Sequence, residues 1–382
     1  MSKLAIYGGD PIRKTMLQYG RQSVSAKDIE AVKEVLLSDF LTTGPAVEKF
    51  EHALAKFCGT KYAACVSSGT AALHSMYESL ELDIGDEVIV PSITFAATAN
   101  AALYCGAKPV FVDVDRDTLL IDIKAVEENI SLKTKIVTGV DYGGQPANYR
   151  SLYELENNNE PKFNIFADAA HSLGAKQNNK SSGSLADASS FSFHPVKGIT
   201  SGEGGAITTN NPEIYKKVKI FRNHGINADY RQREDQATWE YNIGEIGFNY
   251  RLSDVHAALG LSQLSDINLN LKKRRKIANY YFKKIKNKKI NLFNINNNSC
   301  FHQFVILVRD RKNFLNHLKK YRIPYGFHYP YAIHKLEVIK KYCIDKNFKN
   351  SILIAERGVS IPMDPFLNKK KLDYIINKIN CF

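Results

Sequence analysis

No C-x-x-C pair occurs in this chain, and its six cysteines (Cys58, Cys65, Cys105, Cys300, Cys343 and Cys381) are scattered. This excludes the usual zinc spacings and fits reduced thiols in a cytoplasmic protein, so no metal ligand set is expected. The first residues, Met1 to Thr15, lack the apolar core of a signal peptide. One uncharged stretch, Val88 to Ala107, has the length of a membrane span. Its Pro91, Ser92, Thr94, Thr98, Asn100 and Gly106, among other small residues, make it too polar for one. It reads instead as a buried strand running into a helix, with no membrane partner. No recognition-helix, RNA-binding or zinc-finger pattern accompanies the basic residues, and no internal repeat is found.

What is present is ordinary soluble composition, 44% hydrophobic and 24% charged over 382 residues, a length that suits two domains. The net charge of +13 gathers in the last third, in Lys272 to Lys276, Lys283 to Lys289 and Lys369 to Lys371. Runs of this kind on helices are read as solvated faces rather than a nucleic-acid footprint, and they would help steer an anionic substrate.

Apolar spacing predicts a helix over Ala26 to Phe40, with Ser25 as N-cap and Asp28 as its acidic partner. A second helix, Ala46 to Phe57, should stop at Gly59. β-Branched runs follow at Glu87 to Val90, Pro109 to Asp113, Lys135 to Val140, Asn164 to Ala167, Ala188 to Phe193 and Gly205 to Thr208, most of them separated by helical or loop segments. The pattern is α/β, with a mostly parallel sheet covered by helices on both faces. A change comes near residue 265: a long basic helix around Leu264 to Lys286, an Asn-rich spacer, a strand at Phe304 to Val308 and a helix at Phe314 to Tyr321. Residues 1–265 are therefore expected to form a large domain with an N-terminal arm (1–24), and 266–382 a smaller α+β domain. Asn157 to Asn159 and Asn296 to Asn298 are expected to be loops.

Three segments carry chemistry. Ser190-Phe-Ser-Phe-His-Pro-Val-Lys197, followed by Gly198 to Gly205, presents one lysine at the end of an apolar strand before a glycine-rich turn. A partly desolvated lysine has a depressed pKa and can bond a carbonyl. In Ile165-Phe-Ala-Asp-Ala-Ala-His171, Asp168 ends a strand where open α/β sheets place ligands. Such an acid can hold a metal, cap a helix or pair with a cationic ring nitrogen. In Val66-Ser-Ser-Gly-Thr-Ala-Ala-Leu73, a helix start suits a phosphate. Together they meet what pyridoxal 5'-phosphate (PLP) requires: an amine for its aldehyde, a carboxylate for its ring nitrogen and a helix N-terminus for its phosphate.

At these residues the chain resembles the DegT/StrS-type sugar aminotransferases of PLP fold type I. The resemblance runs from Gln18 to Ser23 and Ser38 to Pro45, through the lysine motif, to Gly247-Phe-Asn-Tyr-Arg-Leu-Ser-Asp254 and Phe327-His-Tyr-Pro330. It is nearest to the pseudaminic-acid-pathway branch, whose members aminate C4 of a UDP-linked 2-acetamido-2,6-dideoxy-4-keto-hexose with glutamate as donor. It implies Lys197 as the cofactor-bonding lysine, Asp168 at the ring nitrogen with His171 nearby, and Phe95 on the ring. It further implies Gly69, Thr70 and Ser192 at the phosphate, and Asn249 reaching the phosphate of a second subunit in a homodimer. Tyr19, the turn Asp39, Phe40, Leu41 and Thr42, and His328 and Tyr329 correspond to regions lining the sugar-nucleotide site. Related sugar dehydratases carry histidine at the lysine position, so Lys197 speaks against that chemistry.

Overall fold

The computed structural model describes residues 22–227, 240–293, 295–343 and 347–382. Ser25 opens α1 (Ala26–Leu36) with the reciprocal bonds of a capping box: its Oγ accepts from Asp28 N–H and its own N–H donates to the Asp28 carboxylate. Helix α1 ends four residues earlier than its spacing predicts. Pro45 stands in the first turn of α2 (Pro45–Cys58), and Gly59 ends that helix at φ 73°, a left-handed position where a Cβ is costly.

The chain then lays down β1 (Tyr62–Val66), α3 (Gly69–Glu78), β2 (Glu87–Pro91), α4 (Ala96–Tyr104), β3 (Lys108–Val112), α5 (Ile123–Glu127), β4 (Thr134–Val140), α6 (Tyr149–Asn158) and β5 (Asn164–Asp168). A short hairpin of β6 (Lys176–Gln177) and β7 (Lys180–Ser181) leads to β8 (Ala188–Ser192), β9 (Gly205–Thr209) and α7 (Pro212–Phe221). The central sheet has the order β1-β9-β8-β5-β4-β2-β3. Pairings from β8 through β5, β4 and β2 to β3 are parallel, whereas β9 runs antiparallel to both of its neighbours. Both faces of the sheet are buried. Phe50, Leu54, Val137, Ile165 and Phe193 belong to one core cluster, and Val66, Met76, Tyr77, Val90 and Phe166 to the other. A buried ion pair joins α2 to the end of α7, Arg222 with Glu51, and both side chains also bond the backbone of Cys65 in β1. Removing one partner of such a pair costs about 3–5 kcal/mol.

The basic helix expected around Leu264 to Lys286 is α9 (Ile267–Lys284); it is preceded by α8 (Asp254–Ser265), from which Asp266 divides it. Helix α9 serves two cores: Ile267 and Leu271 pack with the central sheet, and Ile277, Ala278 and Tyr281 with a second sheet. That sheet is antiparallel, β10 (Ile290–Leu292), β11 (Phe304–Val308) and β12 (Gly358–Ile361). Around it lie α10 (Arg311–Lys320), α12 (Lys349–Arg357) and α13 (Lys369–Asn380), whereas α11 (Glu337–Lys340) packs Ile339 into a core of the central sheet. Two further expectations are corrected. Asn157 and Asn158 lie inside α6, and only Asn159, its C-cap, lies beyond it. The run Lys272 to Lys276 is not simply a solvated face, because Arg274 donates to Met363 O at 2.8 Å and Arg275 to Ser299 O at 3.0 Å. Among the described residues, no helix is long and apolar enough to cross a membrane.

Candidate active site

Parallel strands direct their carboxyl ends to one edge of the sheet, and there β5 and β8 deliver Asp168 and the chain leading to Lys197. The lysine does not close the strand itself: β8 ends at Ser192, and Lys197 sits in a turn whose N–H donates to His194 O at 2.9 Å. That turn is held at both ends. Ser192 pairs with Gly205 across β8 and β9. A Cβ on Gly69 would stand 2.7 Å from Ser192 Cβ, and one on Gly205 would stand 2.4 Å from Ser68 O. The start of α3 therefore lies against the root of the lysine turn. Ser68 caps that helix by accepting from Ala71 N–H at 3.0 Å, and the remaining first-turn amides with the positive dipole end form an anion site beside Ser192.

Asp168 is buried, and its charge is supported from two sides: Thr98 Oγ1 donates to Oδ2 at 2.7 Å and Ala170 N–H to Oδ1 at 3.2 Å. Burial pushes this carboxyl above the ordinary range, and the two hydrogen bonds and the Lys197 ammonium pull it back. Half-buried Lys197 moves in the opposite sense. Desolvation lowers its ammonium to about 8, with Asp168 opposing the shift. Three imidazoles share the neighbourhood. His171 and His302 are stacked with centroids 4.6 Å apart, and burial, with nearby cations, holds both well below the usual histidine range. Burial and then Lys197 bring His328 down to about 4. Burial thus disfavours the charged form of all three beside Lys197. Tyr329 lies against Phe95 with centroids 6.0 Å apart. Phe95 is 58% exposed at the N-cap of α4, which a packing role would not allow. A cleft of about 180 Å³ opens beside Lys197, lined also by Asn270, Arg274, His302, Gln303 and His328.

The residues present fit PLP. A half-buried amine, a buried carboxylate and a helix N-terminus meet at one sheet edge, and the buried Nδ1 of His171 has no hydrogen-bond partner among the described residues. Residues 22–380 match the model of the DegT/DnrJ/EryC1/StrS aminotransferase family. The chain belongs to this family. The aminotransferase is 35% identical over 356 residues to the UDP-4-amino-4,6-dideoxy-N-acetyl-beta-L-altrosamine transaminase of Campylobacter jejuni, covering 92% of this chain and 84% of that protein. It superposes with TM-score 0.88 and 32% identity on Helicobacter pylori PseC, an aminotransferase of pseudaminic acid biosynthesis, over 96% of this chain and 98% of that one. The PLP form of the sugar aminotransferase Spr1654 of Streptococcus pneumoniae gives TM-score 0.90 at 29% identity, over 96% and 98% of the two chains. The protein is thus a PLP-dependent transaminase of the nucleotide-sugar class.

Not every expected residue of this aminotransferase converges on the lysine. Asp168, His171 and His328 lie close enough to Lys197 to act on it electrostatically, Gly69 lies against Ser192 at the root of its turn, and Phe95 lies against Tyr329. Asp39, Phe40, Leu41 and Thr42 form an exposed turn against α8, tied by the Asp254 N–H to Leu41 O bond at 3.0 Å. Asn249 is exposed and bridges to Asn223. Neither this turn nor Asn249 is among the described residues lining the cleft. Tyr19 lies outside the described residues. Sequence reasoning passed over Thr98 and His302. Thr98 lies three residues beyond Phe95 on α4, and that spacing was a usable signal. His302 had none, since it precedes a strand of the other sheet.

Proposed function

We propose that this enzyme moves the amino group of glutamate to C4 of a UDP-linked 2-acetamido-2,6-dideoxy-4-keto-hexose, in the making of pseudaminic acid or a related surface-glycan amino sugar. We place it in the cytoplasm as a homodimer whose active sites are shared between subunits. The observation that carries the chemistry is Lys197, half-buried beside buried Asp168 with its ammonium lowered to about 8. The names of the Campylobacter and Helicobacter relatives support the choice of sugar.

When bound, PLP supplies an aldehyde for the amine and a ring that takes up an electron pair. Lys197 would bond that aldehyde at rest. Freed by the incoming donor amine, it would act as the base that takes a proton from the donor α-carbon and returns it at C4′ of the cofactor. Asp168, kept anionic by Thr98 and Ala170 N–H, would hold the ring nitrogen protonated. Gly69, Thr70 and Ser192 would hold the phosphate, Phe95 would cover the ring face, and His171 would meet its polar edge. Asn249 would serve the phosphate of the second subunit. The Asp39 to Thr42 turn, Tyr19, His328 and Tyr329 would receive the sugar nucleotide. After 2-oxoglutarate leaves, the same residues would run the proton transfer in reverse on the keto-sugar.

The test is incubation of the pure enzyme with glutamate and a panel of UDP-, dTDP- and GDP-linked 3-keto and 4-keto sugars, following 2-oxoglutarate. Release with the UDP-4-keto sugar, at a kcat/KM well above the others, is expected. Preference for a 3-keto or a dTDP- or GDP-linked sugar would overturn this assignment.

A further inference from the structure

We propose that His74, Glu78 and Cys105 form a binding site for a borderline-soft divalent cation of the Zn2+ class, at the far ends of the two helices that frame the active site. His74 and Glu78 are four residues apart on α3 and so share one face. Cys105 is the C-cap of α4. The three ligand atoms lie within 4.8 Å of one another. A tetrahedral ion with zinc-like bond lengths sets such atoms roughly 3.3–3.8 Å apart, a contraction that small side-chain rotations can supply.

The surroundings are those of a built site. His74 is 5% exposed and Cys105 9%. The imidazole is walled by Tyr104, Phe221 and Phe248, with ring centroids 5.4, 5.1 and 5.2 Å away. Its Nδ1 is paired with the Tyr250 hydroxyl at 3.1 Å, the outer contact that fixes a metal-binding ring and leaves Nε2 for the ion. Negative charge is in excess here. Three carboxylates, Glu78, Glu81 and Glu245, gather here near Lys217, which is bonded to Glu81 at 2.9 Å. The C-terminal ends of α3 and α4 add the negative poles of two helix dipoles. Imidazole, carboxylate and thiolate together select zinc-like ions over Mg2+ or Ca2+, with the fourth position left to water. The spacing 74, 78, 105 has no contiguous signature, so the fold alone assembles it.

This site lies away from Lys197, and its occupancy is read without activity. The PLP-loaded full-length enzyme, stripped with chelator and reduced, would be titrated with Co2+ and with Zn2+. One equivalent of Co2+ should give the intense ligand-field bands of a tetrahedral thiolate site, at wavelengths beyond the cofactor's absorbance. Cys105→Ser should abolish those bands, and both Cys105→Ser and Glu78→Gln should weaken Zn2+ binding at least about tenfold. The second variant is near-isosteric and half-buried, so it tests the proposal even if the first fails to fold. No bound equivalent in the parent, or unchanged affinity in Glu78→Gln, would overturn the proposal and leave a thiol hydrogen-bonded to a carboxylate.

Discussion

The inner and outer walls of the active-site cleft are built on opposite principles. The inner wall is made of strand ends and helix starts: Asp168 closes β5, Ser192 closes β8 and Gly69 opens α3, with backbones in van der Waals contact. Every group there is fixed by a neighbour it cannot leave. The outer wall, which the proposed function would complete with residues that do not line the cleft itself, is loop: the Asp39 to Thr42 turn is exposed, as is Phe95, at 58%. A rigid inner wall keeps one reaction, and an adaptable outer wall lets relatives accept different sugars.

Substitutions should separate the walls. The largest effect belongs to Lys197→Ala, which should lower multiple-turnover kcat by about 10³-fold or more, measured by 2-oxoglutarate release. Borohydride reduction of the parent, followed by digestion, should leave the pyridoxyl label on the peptide bearing Lys197. Asp168→Asn should cost roughly 100-fold in kcat. It also has a pH signature. The free amine is the reactive form of Lys197, so PLP uptake by the stripped enzyme should rise with pH through about 8 and then level off. Asp168 raises that lysine's pKa, so removing its charge should move the midpoint to lower pH. Thr98→Val should cost about tenfold in kcat by removing one bond to a buried carboxylate. The smallest effect is expected at the outer wall. Phe40→Ser should change KM for the nucleotide sugar by less than about tenfold, leaving kcat and melting temperature nearly unchanged. If Phe40→Ser instead matched Thr98→Val in kcat, the contrast between the walls would fail.

The inner wall was legible in the sequence for the same reason that it is rigid. Strand ends, a capped helix start and a lysine beside glycine-rich chain are local patterns, and each left its mark within ten residues. Thr98 was missed although it sits one turn beyond Phe95, because a threonine in a run of alanines reads as helix surface until its partner on another strand is known. His302 comes from the loop before β11 and meets His171 only through the packing of the two sheets. The break at Asp266 was masked by unbroken apolar spacing on both sides of it. The arginines at 274 and 275 were taken with their lysine neighbours as one charged run, although a guanidinium fork can satisfy several carbonyls at once and a lysine cannot. The central sheet's order needed the fold itself, since β-branched runs give strands but not their neighbours.

The reversed direction of β9 has a consequence for how this enzyme can vary. Because that strand turns back directly beneath the start of α3, the lysine is tethered like a bead on a loop of string pinned at both ends. Lengthening the loop by one residue would let the amine slide in depth while the phosphate anchor stayed put. Evolution can therefore redecorate the mouth of this enzyme freely, but the span from Ser192 to Gly205 behaves as a ruler.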